Sequence, residues 1–188
     1  MHAFEYELCP KLATFSSLQW RSSVFICTAD IEGFYTNVPI QDCTIKLRDL
    51  IAHKFGRGHS RRVKADFVQE LFSIQQDNLI FRAQINGVWE YVQQIDGLAM
   101  GVPATPDIAN LYAAWYEDRL PAAFKDKLLL FKQYIDDIIC VVYADSLDHC
   151  EQILRDYKIP GLKLNWEVSE TNAVFLNLDI WRSPYSRD

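Results

Sequence analysis

The chain has 188 residues, 49% of them hydrophobic and 23% charged, with a net charge of −6 and a pI near 5.2. That length and apolar content suit one compact domain with a sizeable core. No apolar run approaches the ~20 residues of a membrane span, no signal-peptide pattern opens the sequence, and the acidic balance argues against tight charge-driven binding of nucleic acid.

Residues 1–20 mix aromatic and polar groups without a period and read as irregular. Val24 to Asp30, VFICTAD, is a β-prone run with apolar residues on both faces, the mark of an interior strand, and it ends on a carboxylate. A turn over Glu32–Asn37 leads to Pro39, which suits the first turn of a helix running to about Phe55 with Ile45, Leu47, Leu50 and Ile51 on its apolar side. Lys54, Arg57, His59, Arg61, Arg62 and Lys64 form the one dense basic cluster, and Gly56 and Gly58 mark it as a loop. It is either a phosphate contact or a solvated connector, and charge runs favour the second. A second helix over Lys64–Asp77 follows. Then Leu79–Gln84 and Val88–Gln94 flank Asn86-Gly87, a strong two-residue hairpin signal.

Gly97 to Pro103 is a glycine-flanked loop, after which Thr105 can cap a helix that starts with Pro106 and carries Ile108, Leu111, Tyr112 and Trp115 as a core stripe. The runs LLLF (128–131) and IICVVY (138–143) predict two strands joined by Tyr134-Ile135-Asp136-Asp137, a hairpin near the middle of a covered sheet. Ser146 caps a further helix with Leu147, Cys150, Ile153, Leu154 and Tyr157 on one face. Two last strands are expected over Leu162–Val168 and Val174–Trp181. The order of elements predicts an α+β fold, one sheet with helices on one face. Five cysteines without a CxxC spacing, Cys27 and Cys140 inside apolar strands, predict a reduced intracellular protein without a zinc site.

Chemistry concentrates in the acids. Asp30 ends one interior strand, and Asp136 and Asp137 sit at the turn of another. If the strands are neighbours, three carboxylates converge at one sheet edge, the oxygen-rich setting that paired divalent cations ~3.5–4 Å apart require for in-line displacement at phosphorus. The glycine loop lets backbone approach a substrate. The plain alternative is that Asp-Asp is ordinary turn chemistry.

Asp30 with Phe34-Tyr35, then GLAMGVPATP, YIDD and FLNLDI at 175–180 stand in the order of motifs A, B, C and E of reverse transcriptases, and the chain resembles that family over roughly residues 22–181. The wording FYTNVP and AMG is most similar to Penelope-like retroelements. The resemblance implies a polymerase palm over 22–182, between an N-terminal extension (1–21) and a C-terminal tail (183–188). It implies an RNA-directed DNA polymerase that adds dNTPs to a primer by two-metal nucleotidyl transfer with Mg²⁺, or Mn²⁺ in its place. By resemblance, Asp30, Asp136 and Asp137 are catalytic, and with the Ile31 carbonyl they hold metal. Tyr35 lies under the deoxyribose and excludes a 2′-hydroxyl, with Phe34, Met100 and Gly101 beside the nucleotide. Arg57, Arg61, Arg62, Lys64 and Phe175 would touch nucleic acid. Partners are an RNA or DNA template with its primer and dNTP.

The sequence departs from the family at its ends. Before Asp30 only Lys11 and Arg21 offer cations, so the expectation is a palm with little or no fingers and no thumb, weak alone, completed by a parent polypeptide or by an oligomer. A retroelement origin would suit the nucleus. Met100 stands where many retroviral-type enzymes carry Gln, and Lys163 falls in the motif D region, where it is either a proton donor to pyrophosphate or a strand-edge lysine. The competing function is a polymerase-derived binding module for nucleic acid or protein, without turnover.

Overall fold

The computed structural model describes residues 24–54 and 59–182, with side chains from 24–54 and 64–182. The N-terminal extension 1–21, Arg57, the tail 183–188 and the side chains of Arg61 and Arg62 lie outside that description. The chain divides into two compact units: residues through Glu32 together with those from Leu120 onward, and Gly33–Arg119.

The first unit is built on β1 (Val24–Ile31), β4 (Leu128–Tyr134), β5 (Asp137–Tyr143) and β6 (Leu164–Ser169), in the order β4-β5-β1-β6. Every pairing is antiparallel. β1 and β5 are interior, as their two-sided apolar runs require; β4 is an edge strand, so the central hairpin is only half interior. Alternation along a strand sorts the core into two faces. Val24, Ile26, Ile139 and Val141 form one buried cluster with Leu130 and Phe175. A hairpin covers that cluster: β7 (Asn172–Phe175) and β8 (Leu178–Trp181), with Ala173, Leu178 and Ile180 packed against it. The run expected as one strand over Val174–Trp181 is therefore folded back on itself. Leu176, at φ 53, takes the left-handed turn that a two-residue loop needs.

The other face carries Cys27 and Cys140, opposite one another across the ladder and both fully buried. The Sγ of Cys150 lies 3.6 Å from that of Cys27, which sets α6 (Leu147–Arg155) against this face. Ser146 caps α6 as expected, its Oγ accepting from the His149 N–H at 3.2 Å. Cys150, Ile153 and Leu154 face inward, while Leu147, at the helix start and on the spacing of the stripe the sequence suggested, is exposed. Below it, the rings of Phe124, Phe131, Tyr157 and Trp166 form a chain of stacked and edge-on contacts. Phe124 comes from a short helix the sequence did not announce, α5 (Ala122–Lys125). The sheet is therefore covered by a helix on one face and a hairpin on the other.

In the second unit, α1 (Phe34–Asn37) is a single turn, followed by α2 (Ile40–Lys54), α3 (His59–Asp77), the hairpin β2 (Ile80–Ile85) and β3 (Val88–Gln93), and α4 (Thr105–Glu117). α2 buries Cys43, Leu47, Leu50 and Ile51, but Ile45 is exposed and belongs to the polar side. α3 starts five residues before the expected Lys64, so the backbone of the basic cluster is helical from His59 onward rather than a loop. Asn86 and Gly87 both have positive φ, as the two-residue turn demands. On α4, Ile108, Ala109, Tyr112 and Ala113 are buried, while Leu111 is exposed. The Tyr112 and Tyr116 hydroxyls both donate to one oxygen of Asp42 on α2, at 3.0 and 2.9 Å, and tie the two helices together. Burial first, then Asp42, pushes the Tyr116 phenol up to about 12.

Candidate active site

Asp30 is the last residue but one of β1, and Asp137 is the first of β5; the two are paired directly across the ladder. Asp136 belongs to the turn before it and accepts the Ile31 N–H on its backbone oxygen at 3.0 Å. Tyr134 pairs with Asp137, so Ile135 and Asp136 are the whole loop. Ile135 carries φ 55, a value usually left to glycine or asparagine, and as a β-branched residue it bears the steric cost of that conformation. The Gln133 side chain donates to the Ile135 carbonyl at 2.9 Å and braces the turn. A one-residue shift of register would turn Asp137 to the cysteine face.

Asp30 and Asp137 share the face that holds Ile26, Ile139 and Phe175. At this end a groove of ≈ 490 Å³ opens, lined among others by Thr28, Asp30, Asp137, Asn165, Glu167 and Leu176. Asn165 is the β6 partner of Asp30, and Glu167 that of Thr28. Sequence reasoning passed over both, although strict alternation along Leu164–Ser169 puts them on one face. Burial raises the pKa of Asp137 above the ordinary carboxylate value, and the charges of Asp136 and then Asp30 raise it further. Beside the groove, Lys163 donates to Glu32 at 2.7 Å, and this contact holds the exposed Glu32 carboxylate low.

Carboxylate oxygens whose mutual repulsion a cation would relieve fit a hard divalent ion such as Mg²⁺ or Mn²⁺. Among the described residues, no three His, Cys, Asp or Glu side chains are gathered as a ready chelating group. The acids therefore share a locality and a field rather than a finished coordination geometry.

The second unit holds the other predicted residues. Phe34 is buried at 2% exposure and is core, whereas Tyr35 is half-buried and Met100 is 73% exposed. The glycine loop is fastened onto the turn that bears Tyr35: the Leu98 N–H donates to the Tyr35 carbonyl at 2.6 Å. Asp96 accepts from the backbone N–H of Gly97 at 2.9 Å and of Ile40 at 3.1 Å. A Cβ on Gly97 would stand 2.6 Å from the Thr36 carbonyl oxygen, so only glycine permits this approach; at Gly101 the same space is open. Thr105 does not cap α4. It is already helical, and its hydroxyl donates back to the Ala99 carbonyl at 2.7 Å, closing the loop from its far side. Lys64 is exposed on α3, and Phe175 is 2% exposed within the core cluster while its edge lines the groove.

No family model matches the chain, and no curated protein matches it. Solved structures do. An insertion-loop deletion mutant of the RNA-dependent RNA polymerase of a human picobirnavirus is similar over 91% of this chain and 32% of its own, at 18% identity and TM-score 0.59. The RNA-dependent RNA polymerase of BmCPV at the elongation state matches over 94% of this chain and 17% of its own, at 12% identity and TM-score 0.59. Apo telomerase from Candida tropicalis, truncated from its C-terminal domain, matches over 94% of this chain and 38% of its own, at 14% identity and TM-score 0.60. The fold, mixed helix and antiparallel sheet, is that of a polymerase palm. The chain spans well under half the length of each of these polymerases. No helix among the described residues is long and apolar enough to cross a membrane.

Proposed function

We propose that this chain is the catalytic palm of an RNA-directed DNA polymerase, extending a primer with deoxynucleoside triphosphates. The observation that carries the reading is the facing pair Asp30 and Asp137, with Asp136 in the strained turn between β4 and β5. In the reaction the primer 3′-hydroxyl attacks the α-phosphorus, a new P–O bond forms, and the bond to the pyrophosphate oxygen breaks. Asp30 and Asp136 would hold divalent metal, with the Ile31 carbonyl as a backbone ligand and Asp137 as a third carboxylate; when bound, the metal lowers the pKa of the hydroxyl and neutralises the leaving group. The chain's own part is placement: the β1–β5 ladder holds the acids in register, and the loop fastened at Leu98 sets the backbone beside Tyr35. An aromatic there would close the space a ribose 2′-hydroxyl needs, which favours deoxynucleotides over the ribonucleotides used by two of the structural neighbours. The Penelope-like assignment rests on the FYTNVP and AMG wording alone.

A binding module without turnover is the second reading, and the small, acidic chain of net charge −6 favours it. Calorimetric titration with Mn²⁺ separates the two. The full chain should bind in the micromolar-to-millimolar range of open carboxylate sites, roughly 10⁻⁵–10⁻³ M, and Asp136→Asn should lose that binding with its circular dichroism unchanged. Equal binding by both proteins, or by neither, removes the catalytic reading.

A further inference from the structure

The β2–β3 hairpin has two unlike faces. Residues opposite across the ladder share a face with those two places along the strand. One face holds Phe81, Ala83 and Ile85 opposite Val92, Glu90 and Val88, an apolar surface with a single aromatic ring, an acid and no cation. The other holds Ile80, Arg82 and Gln84 opposite Gln93, Tyr91 and Trp89, and it has no carboxylate, in a chain of net charge −6. Tyr91 is 80% exposed and Trp89 55%. The Arg82 guanidinium lies 4.6 Å from the centroid of the Trp89 ring, already stacked and already oriented. Both amides are committed to backbone, Gln84 to the Gly87 carbonyl at 3.2 Å and Gln93 to the Asp77 carbonyl at 2.8 Å. What this face leaves to offer is two aromatic planes and a cation.

Large exposed aromatics are costly to keep in water. Aromatic planes beside an arginine, with no acid to repel phosphate, take unpaired bases: every base has a π-face, and the cation serves the backbone. We propose that the Arg82–Trp89–Tyr91 face is a stacking platform for single-stranded nucleic acid. The proposal rests on the polymerase reading, since an unpaired template is the strand such a platform would receive. It adds a contact that supplies affinity by stacking where the chain's charge cannot supply it.

The test is fluorescence anisotropy of labelled 12-nucleotide oligo(U) and oligo(dT) with the full chain at low salt. Tyr91→Ala and Trp89→Ala should each weaken binding about 5-fold or more, the cost of losing one stacked base. Val88→Ser, on the opposite face, should leave it unchanged, and all the variants should keep the parent's circular dichroism. Binding that weakens in the hairpin variants, in either arm, supports the platform, and the tighter arm names the strand. Equal affinities for parent and variants overturn it, as does no binding by the parent. Hairpin-dependent self-association without oligonucleotide binding also overturns it, and marks a protein-docking face instead. Mn²⁺ binding reports separately on the carboxylates. Hairpin-insensitive oligonucleotide binding in a chain that binds Mn²⁺ sinks the platform alone; hairpin-dependent binding in a chain that does not sinks the catalytic reading alone.

Discussion

Gly97→Ala should be among the most damaging small substitutions in this chain, and Gly101→Ala, four residues on, clearly milder. Both glycines have left-handed backbone, φ 75 and φ 90, so each alanine bears roughly 1–2 kcal/mol for that conformation. Each also recovers about 0.4–1 kcal/mol because alanine has less freedom to lose from the unfolded chain. At Gly101 nothing lies within 4 Å of the new methyl. The net loss there is about 0–1.6 kcal/mol. At Gly97 the methyl meets the Thr36 carbonyl oxygen at 2.6 Å, a backbone atom that cannot swing aside as a side-chain tip could. The loop must retreat, straining local packing by about 1–3 kcal/mol and stretching the 2.6 Å Leu98–Tyr35 hydrogen bond, worth about 0.5–1.5 kcal/mol. The sum is about 1.5–6 kcal/mol, and for a chain of this length each kcal/mol moves the melting temperature by roughly 2–4 °C. Thermal unfolding followed by tryptophan fluorescence should show a drop of about 3–24 °C for Gly97→Ala, and for Gly101→Ala a smaller one, at most about 6 °C. Equal shifts would mean that left-handed backbone is the whole effect and that the loop is not fastened against the Tyr35 turn.

Three other outcomes are expected. In any assembly that extends primers, Tyr35→Ala should raise ribonucleotide incorporation relative to deoxyribonucleotide, measured by competition between the two triphosphates; an unchanged ratio makes Tyr35 a structural aromatic only. Asp42→Ala should destabilise by about 1–3 kcal/mol in urea unfolding, because it removes the acceptor that the Tyr112 and Tyr116 hydroxyls share and leaves them only their mutual contact at 3.4 Å; Asp42→Asn, which keeps an acceptor, should recover most of this. Asp137→Asn should raise the melting temperature at neutral pH. Its folded pKa is raised, so the charged carboxylate opposes folding above that pKa. The benefit of the substitution should shrink as pH falls toward the ordinary carboxylate value of about 3.9, where both side chains are neutral. A gain that does not depend on pH would refute burial and like-charge repulsion as its source.

The parts of this fold that one stretch of chain settles by itself were legible. Two-sided apolar runs gave the interior strands β1 and β5, Asn86-Gly87 gave its hairpin, and Ser146 gave its cap. From the sequence, the gathering of Asp30, Asp136 and Asp137 is conditional on β1 and β5 being neighbours; that adjacency and the Asp30–Asp137 register are long-range facts that no local period states. Errors collected where a tertiary choice overrides a local preference. Leu176 looks like a strand residue and is a left-handed turn, so Val174–Trp181 read as one strand. Thr105 has the chemistry of a cap, yet its hydroxyl was more useful closing the loop at Ala99. Glycines at 56 and 58 suggested a loop through the basic cluster, although Arg61, Arg62 and Lys64 are ordinary helix formers, and α3 begins at His59. Asn165 and Glu167 share a face by alternation along β6, a signal present in the sequence, but only the β1–β6 register, a long-range fact, places them beside Asp30 and Thr28.

Departures from local preference also bear on the choice between catalyst and scaffold. Most of the first unit is locally consistent: β-branched residues in strands, apolar residues in the core, a capped helix. Ile135 and Leu176 are not, for they hold left-handed turns with branched side chains where glycine would cost nothing. Nor is Asp137, which is kept beside Asp136 and Asp30 with its pKa raised and no cation against it among the described ion pairs. Leu176 and Asp137 both line the groove, and Ile135 stands in the turn that leads into Asp137. Strain and like charge each cost stability, on the order of 1–3 kcal/mol for a backbone outlier, and neither persists by accident in the same place. A scaffold would gain from relaxing all three positions, to Gly, Gly and Asn, without loss of its surface. A site that must present carboxylates at a fixed register to a metal and a triphosphate could not relax Asp137 to Asn. That concentration of cost at one end of one groove favours the catalytic reading, and it makes the Mn²⁺ titration, rather than further comparison of folds, the measurement on which that reading stands.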